Sequence, residues 1–340
     1  MRLIVTANAT PFLTGGATYH FDGLVAALRE RGHDVETLRF PFTFHPEESI
    51  LRLMDWCETL DLEAPNGQRV DKVISLQFPG YGVRHPRHVV WIMHQHRIVY
   101  DLYPDEPEEA VQRLHELIPP FDNRVLALAE RLFANSRNVS ARLSRFNGLA
   151  AEPLYHPPPL AGHFRQGEAL NYVFMPSRME TLKRQGLVLE AARLWRAPVT
   201  CVLAGRGGLL ETNKRFIAEH DLGERVVILE DCPDAEKLAL YANCLGVLYP
   251  PRDEDYGYVT LEAQLAGKPV VTCDDSGGPL ELIEDGATGF VVAPTAQAIA
   301  DAVDRLWDDR EGAREMGRLG LARYQERGIS WDDVVDRLTE

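Results

Sequence analysis

The sequence predicts an α/β protein made of two Rossmann-like domains facing a central cleft. Three observations lead there. Short β-rich runs alternate with amphipathic helical runs along the whole chain, the pattern of parallel sheets covered on both faces. The segment His156-Pro-Pro-Pro159 breaks that alternation with residues that continue neither a helix nor a central strand. The chain has 340 residues, whereas one domain ordinarily holds about 150–170. The expected division is residues 1–157, residues 158–328, and a terminal segment 329–340.

The elements follow in order. Arg2–Asn8 reads as a first strand. Ala17–Arg31 carries Phe21, Leu24, Val25 and Leu28 at helical spacing, with Gly32 as its stop. Asp34–Phe40, Lys72–Leu76, Val89–Met93 and Leu132–Asn135 read as further strands. Helices are expected at Glu47–Leu60, Pro107–Ile118, Asn123–Arg131 and Arg137–Asn147. After the prolines a second series begins. Its strands are Tyr172–Met175, Val199–Ala204, Val226–Leu229, Leu245–Tyr249, Pro269–Thr272 and Thr288–Val292. Its helices are Gln185–Trp195, Leu209–His220, Ala235–Tyr241 and Tyr258–Ala266. From Ala296 to Glu340 the pattern is helical throughout.

Composition excludes several classes. The formal net charge is −15, against a nucleic-acid partner. Residues 1–157 hold 16 basic against 20 acidic side chains, and the remainder 20 against 31. An anionic ligand therefore needs local cations in the second half. The longest apolar runs fall short of the roughly 18 residues that span a bilayer. Met1–Asn8 and the Thr-Pro-Phe-Leu-Thr-Gly-Gly that follows read as a strand and loop, not a signal peptide. Five scattered cysteines without a C-x-x-C fit a reduced, cytoplasmic chain.

Four motifs carry chemistry. Gly15-Gly16 opens the first helix, where backbone amides can face an anion or simply make a tight turn. Gly205-Arg-Gly-Gly208 follows a strand but lacks dinucleotide-fingerprint spacing. It fits close backbone approach to a phosphate or base, or plain turn chemistry. Arg178 and Lys183 also follow a strand, and a planar guanidinium beside a mobile ammonium suits a diphosphate. Of the adjacent Lys183 and Arg184, one is expected to be merely solvated. Glu254 and Glu262 bracket Gly257, the second inside an apolar helical run, where a lone carboxylate is costly and a polyhydroxyl ligand would compensate it. A glycosidase-like acid/base pair is the rival chemistry. His85, His88, His94 and His96 cluster near one strand. Their basic flanks argue against a metal centre and for a single functional histidine at the strand end.

Together these motifs resemble the retaining GT-B glycosyltransferases of family 4, the glycosyl transferases group 1. Glu-Asp-Tyr-Gly-Tyr-Val-Thr-Leu-Glu262 is similar to the family's paired-glutamate motif. Gly267-Lys-Pro-Val-Val, Ser276-Gly-Gly-Pro-Leu-Glu281 and Glu284-Asp-Gly-Ala-Thr-Gly289 are similar to the segments after it. Ser177-Arg178 to Lys183 resembles the Arg…Lys phosphate motif, with Ser177 where glycine is common. His94 stands where the family has its active-site histidine, and His96 two residues on is the alternative.

The resemblance implies specific roles. Arg178 and Lys183 neutralise a leaving diphosphate without a metal. Glu262 binds ribose hydroxyls and Glu254 those of the transferred sugar. Gly15 and Gly16 lie near a donor phosphate, Gly205 near the donor, and His94 at the sugar. The amides of Tyr258, Val259 and Thr260 add partial positive charge at the diphosphate. The resemblance also implies that the helix at 329–340 crosses back to the first domain, with Trp331 as a buried anchor.

The activity so implied is retaining, metal-independent transfer of a hexose from a UDP- or GDP-sugar to a saccharide or lipid-linked saccharide. No cofactor is expected. The setting is the cytoplasm, with peripheral contact at the inner membrane face in view. The alternatives are an epimerase or phosphorylase of the same architecture, and a non-catalytic nucleotide-sugar-binding subunit.

Overall fold

The structure, a computed structural model, describes residues 1–12 and 15–340. The loop expected between the first strand and first helix is thus described except for Leu13 and Thr14. The chain divides into two compact units, Met1–Pro157 with Ser330–Glu340, and Pro158–Ile329. The Pro-rich segment is where the chain leaves the first unit.

The first unit runs β1 (Arg2–Ala9), α1 (Gly16–Glu30), β2 (Asp34–Pro41), α2 (Glu47–Thr59), β3 (Lys72–Ser75), β4 (His88–Ile92), α3 (Glu109–Leu126), β5 (Arg131–Ala134), α4 (Arg137–Asn147) and β6 (Glu152–Pro153). Its sheet has the order β2-β1-β3-β4-β5-β6, parallel throughout. Every residue of β3 and β4 is buried, as central strands covered on both faces require. The predicted stripe of α1 is the one that packs, with Phe21, Leu24, Val25 and Leu28 buried.

One expectation fails here. The two helices placed on either side of Pro119-Pro120 are a single helix, α3. Proline in a helix interior removes a donor and crowds the preceding turn. Here Ile118, Phe121, Val125 and Leu126 are all buried in one cluster, and this tertiary packing outweighs the local penalty.

The second unit runs β7 (Tyr172–Pro176), α5 (Gln185–Ala192), β8 (Thr200–Ala204), α6 (Leu210–Glu219), β9 (Val226–Leu229), α7 (Asp234–Asn243), β10 (Gly246–Leu248), α8 (Tyr258–Leu265), β11 (Val270–Cys273), β12 (Gly289–Val292), α9 (Ala296–Asp308) and α10 (Arg310–Glu326). Its order is β12-β11-β10-β7-β8-β9, again parallel. The order reverses between β7 and β10, so the loops leaving these strands diverge and open a crevice at their carboxyl ends.

The last helix, α11 (Trp331–Thr339), belongs to the first unit. Ser330 caps it by accepting from the Asp333 amide. Val334, Val335 and Leu338 are fully buried against the α1 face of the sheet, each contributing about 1.5–3 kcal/mol. Arg31 pairs with Asp332 and Asp336 on the exposed side, where such pairs are worth little. Trp331 is only half-buried, a correction to its reading as a buried anchor. Its indole packs against Gly23, where a Cβ would sit 2.4 Å from Cζ2. One edge stays in solvent because the helix begins there.

Under Trp331 lies an aromatic stack. His20 stacks on His156 at 4.0 Å and meets Trp91 edge-on at 4.0 Å, while His156 lies 5.4 Å from Trp331. Burial lowers the pKa of His20 to about 3 and that of His156 well below its usual value. His88, also buried, is lowered to about 4. On the other face, Asp122 is fully buried between the hydroxyls of Tyr81 and Tyr100, each donating at 2.7 Å. Burial raises its pKa to about 7.

Two predictions follow from this packing. Leu338→Ala should destabilise the first unit by about 2–5 kcal/mol as a core truncation, and Trp331→Ala by less, measured by urea unfolding. The second concerns pH. A histidine with a lowered folded-state pKa supplies stability that is lost as pH falls from about 6.5 toward 3 or 4. Asp122 has the opposite sign, adding stability as pH falls from about 7 toward 3.8. Four histidines, His96 being likewise lowered to about 4, against one aspartate give a net loss on acidification, and Asp122→Asn should steepen it. Melting midpoints at pH 7.5 and pH 5 check both statements, and an acid-stabilised wild type would contradict them.

Candidate functional site

The second unit gathers the predicted cations and carboxylates where its strand order reverses. β7 ends in the Ser177–Arg184 loop, which closes in a short 3-10 turn at Thr181–Lys183. β10 ends at Leu248, and the chain then runs through Tyr249 and Glu254 to the start of α8. The Arg252 amide donates to the Leu182 carbonyl at 2.8 Å, tying the two loops together. The Lys183 ammonium is ion-paired with the Glu254 carboxylate. It also lies 3.5 Å from the Tyr249 hydroxyl. The Tyr249 pKa is held well above its usual value by burial and by Glu254, so the phenol stays neutral.

The Glu254 backbone is fixed independently of its side chain. Its amide donates to the Ser276 carbonyl at 2.9 Å, and its carbonyl accepts from the Gly278 amide at 2.8 Å. Three residues on, Gly257 caps α8 at φ +88 and ψ +57 without a side-chain acceptor. The first-turn amides of Tyr258 and Val259 therefore present the positive end of the helix dipole close to Glu254 in sequence, while that of Thr260 donates to the Gly257 carbonyl at 3.0 Å. The Thr260 hydroxyl is buried and finds no partner among the described residues.

Glu262 sits one turn further along α8 and is 2% exposed. The charge expected to need a ligand is already compensated. Lys237 Nζ donates to Oε1 at 2.7 Å and the Tyr241 hydroxyl to Oε2 at 2.5 Å. Both come from α7, four residues apart on one face. Neither was singled out in the sequence, although an i, i+4 Lys/Tyr pair just before a strand of this sheet is a readable signal.

Arg178 and its neighbours separate cleanly. The Arg178 guanidinium is exposed and pairs with no carboxylate among the described residues. Gln185, buried at the start of α5, donates to both Ser177 Oγ (2.9 Å) and the Arg178 carbonyl (2.8 Å) and so braces this loop. Arg184 is not merely solvated, and neither is Lys183. Arg184 grips Asp275 bidentately at 2.7 and 2.6 Å, because its left-handed backbone (φ +58) turns it away from Lys183.

The Gly205–Gly208 loop has a packing reason for its glycines. A Cβ at Gly205 would sit 2.5 Å from the Ser177 carbonyl oxygen, and one at Gly207 2.4 Å from that of Met179. The loop lies directly on the backbone that carries Arg178. The Met179 amide donates to the Arg206 carbonyl at 2.9 Å and its carbonyl accepts from the Leu209 amide at 3.0 Å.

In the first unit, His94 follows β4 and is half-buried. Its Nδ1 lies 2.8 Å from the Gln95 carbonyl oxygen. A carbonyl only accepts, so Nδ1 carries the proton and Nε2 of the neutral ring is an acceptor. His96 is enclosed by Phe42, Phe44 and Phe78 at 6.3, 6.5 and 5.3 Å, and burial lowers its pKa to about 4. His85 and His88 are engaged elsewhere, His85 at the Val70 carbonyl and His88 at Ser75 Oγ. Gly15 and Gly16 open α1, the Gly15 carbonyl accepting from the Thr18 amide at 3.0 Å.

Residues 163–322 match the family model described as glycosyl transferases group 1. The match lies within the second unit, which resembles that family. The group 1 match spans Arg178, Lys183, Gly205, Glu254, Tyr258, Val259, Thr260 and Glu262, and leaves His94, Gly15 and Gly16 outside it.

Among curated relatives, the chain is 28% identical to the O-antigen chain mannosyltransferase C of Escherichia coli, over 66% of this chain and 63% of that protein. It is 35% identical to the human alpha-1,3/1,6-mannosyltransferase ALG2 over 34% of this chain and 27% of that protein. The alignments thus span less than two thirds of these relatives.

Among solved structures, sucrose-phosphate synthase from Thermosynechococcus elongatus superposes with a TM-score of 0.78. Anabaena HepE, solved with UDP and glucose, superposes with a TM-score of 0.74. Each is 18% identical and covers 100% of this chain and 98% of its own. At that identity the likeness is one of fold, the GT-B class of two parallel six-stranded sheets.

The Gly205–Gly208 packing gives a test. Gly207→Ala should push the Met179 backbone aside, costing about 1–3 kcal/mol as overpacking and exposing the Met179 amide to hydrogen exchange. Unchanged protection at Met179 would refute the packing role.

Proposed function

We propose that this protein is a group 1 family member and a retaining glycosyltransferase that moves a hexose from a UDP- or GDP-sugar to a hydroxyl of a saccharide or lipid-linked saccharide. The observation that carries it is the gathering, at the β7/β10 strand reversal, of Lys183, Glu254 and the start of α8, beside the loop that presents an exposed Arg178. Cations in an acidic chain, placed at the ligand-binding edge of a parallel sheet, suit a diphosphate.

In this reading Arg178, Lys183 and the Tyr258 and Val259 amides stabilise the departing diphosphate, the main catalytic contribution. Glu262, oriented by Lys237 and Tyr241, accepts from ribose hydroxyls, and Glu254 accepts from hydroxyls of the sugar. Gly205 shapes the loop beside the donor. In the first unit, His94 and the amides of Gly15 and Gly16 are proposed to serve the sugar and a donor phosphate. The bond from the anomeric carbon to the phosphate oxygen breaks with its electrons on the diphosphate. The acceptor oxygen bonds to that carbon from the same face, and its proton passes to the leaving phosphate.

Mannosyltransferases among the relatives make mannose the first sugar to test, and bacterial polysaccharide or glycolipid assembly the proposed setting. No helix among the described residues is long and apolar enough to cross a membrane. Contact with a lipid-linked acceptor would then be peripheral.

A thermal-shift screen of UDP and GDP, followed by product analysis, tests the reading. Free nucleoside diphosphate together with a glycosylated acceptor of unchanged anomeric configuration is expected. An isomerised sugar, a phosphate requirement, or binding without turnover would replace it with epimerisation, phosphorolysis or a binding subunit. Two further outcomes are expected. Activity should persist in excess EDTA, since Arg178 and Lys183 supply the positive charge. Glu262→Ala should weaken the intact donor and the bare diphosphate about equally, because both carry the ribose. Calorimetry on the two ligands checks this, and loss confined to the donor would contradict it.

A further inference from the structure

His94 stands on a short stretch that the sheet does not hold. β4 ends at Ile92. The Met93 amide still donates to the Leu76 carbonyl at 3.1 Å, and the His96 carbonyl accepts from the Val99 amide at 3.1 Å. Between them, neither His94 nor Gln95 makes a main-chain to main-chain hydrogen bond among the described residues. Yet the Gln95 carbonyl accepts from His94 Nδ1 and so fixes which ring nitrogen carries the proton. Something other than backbone pairing has to hold that carbonyl still.

The Gln95 side chain is placed to do so. Gln95 is fully buried. Its Nε2 donates to Oδ1 of Asn147, the last residue of α4. Asn147 is itself tied from two sides, its Nδ2 donating to Asn123 Oδ1 at 2.7 Å and to the Tyr100 hydroxyl at 3.2 Å. Tyr100 donates in turn to the buried Asp122 carboxylate at 2.7 Å. Gln95 is thus pegged to a polar chain shared by α3 and α4. The peg is costly. Gln95 Oε1 is buried and finds no hydrogen-bond partner among the described residues, a penalty that an apolar side chain of similar size avoids. His96, two residues beyond His94, is held by its three phenylalanines, but those contacts do not reach the Gln95 carbonyl.

We infer that Gln95 is a positioning residue for His94, with Asn147 as its anchor. The inference rests on the assignment of His94 to the donor sugar and deepens it by naming what aims the ring. The buried carboxamide fixes the Gln95 main chain. The Gln95 carbonyl then holds the Nδ1 proton, and Nε2 is left as an acceptor for a sugar hydroxyl. Releasing the peg frees the carbonyl. The ring then exchanges between tautomers, and the fraction of molecules with Nε2 ready to accept falls. Gln95 touches no substrate and acts through His94.

Gln95→Met keeps the length of the side chain and removes the donor. In 15N spectra of histidine-labelled protein, with His94 assigned by His94→Asn, wild type should show a protonated Nδ1 and an unprotonated Nε2. Gln95→Met should show a mixture of both tautomers, and an unchanged tautomer overturns the inference. The melting midpoint should stay close to that of wild type, because the carboxamide it replaces is only half satisfied. If Gln95→Met instead melts far below wild type, Asn147→Ala removes the same hydrogen bond from a half-buried helix end and carries the same expectations.

Calorimetry provides the second readout. Gln95→Met should bind UDP-glucose and GDP-mannose about three- to tenfold more weakly, the scale of one hydrogen bond, with UDP and GDP unchanged. In a His94→Ala background the same substitution should have no further effect. Full-size weakening there means that Gln95 acts by another route and overturns the inference. His94→Ala alone tests the underlying reading. If it binds both intact donors as wild type does, the assignment of His94 to the sugar fails. If it weakens them while Gln95→Met does not, only the positioning role is wrong.

Discussion

The parallel pairing of β7 with β10 is the constraint on which the rest of the second unit depends. These strands are separated by two β-α units in the chain yet lie side by side, Val173 opposite Gly246 and Phe174 opposite Val247. Because the order reverses there, the loops after them are not covered by a crossing helix. That opening brings Lys183 from one loop to Glu254 on the other and leaves the start of α8 beside them. Had β10 paired elsewhere, the same residues would be separate surface charges of little consequence.

Charge in this acidic chain is organised by specific partners. Lys183 meets Glu254, Arg184 meets Asp275, and Lys237 meets Glu262. Each pair is at least partly buried, where an unpaired charge is costly and a paired one fixes geometry. The exposed Arg178 pairs with no carboxylate among the described residues, and its loop is held by backbone and by Gln185. A cation held in position without an internal counter-charge is available to an external anion.

The first unit uses burial differently. Its sheet is closed on one face by α1 and the returning α11, and under that closure His20 and His156 are stacked and neutral. On the opposite face Asp122 joins Tyr81 and Tyr100 beneath α3. These groups couple the packing of the unit to protonation because removal from water disfavours the charged form of each, lowering the histidines and raising Asp122 to about 7.

Much of this was legible in the sequence. Apolar periodicity marked α1 and α11, β-branched runs marked the central strands, and the prolines at 157–159 marked where the chain leaves the first unit. The spacing of Glu254 and Glu262, and of Arg178 and Lys183, singled out the candidate residues, since the loop into α8 and α8 itself hold the first pair and one loop holds the second. These are local properties, and local sequence encodes them directly.

The tertiary structure alone decided the rest. It continued α3 through Pro119-Pro120, left Trp331 half in solvent at a helix start, and gave the Gly205–Gly208 glycines a packing role. Above all it decided which cation meets which carboxylate, across 71 residues for Lys183 and Glu254 and 91 for Arg184 and Asp275. Such pairings depend on strand order and on which loops a reversal leaves open. Those are properties of the whole sheet that no window of sequence contains.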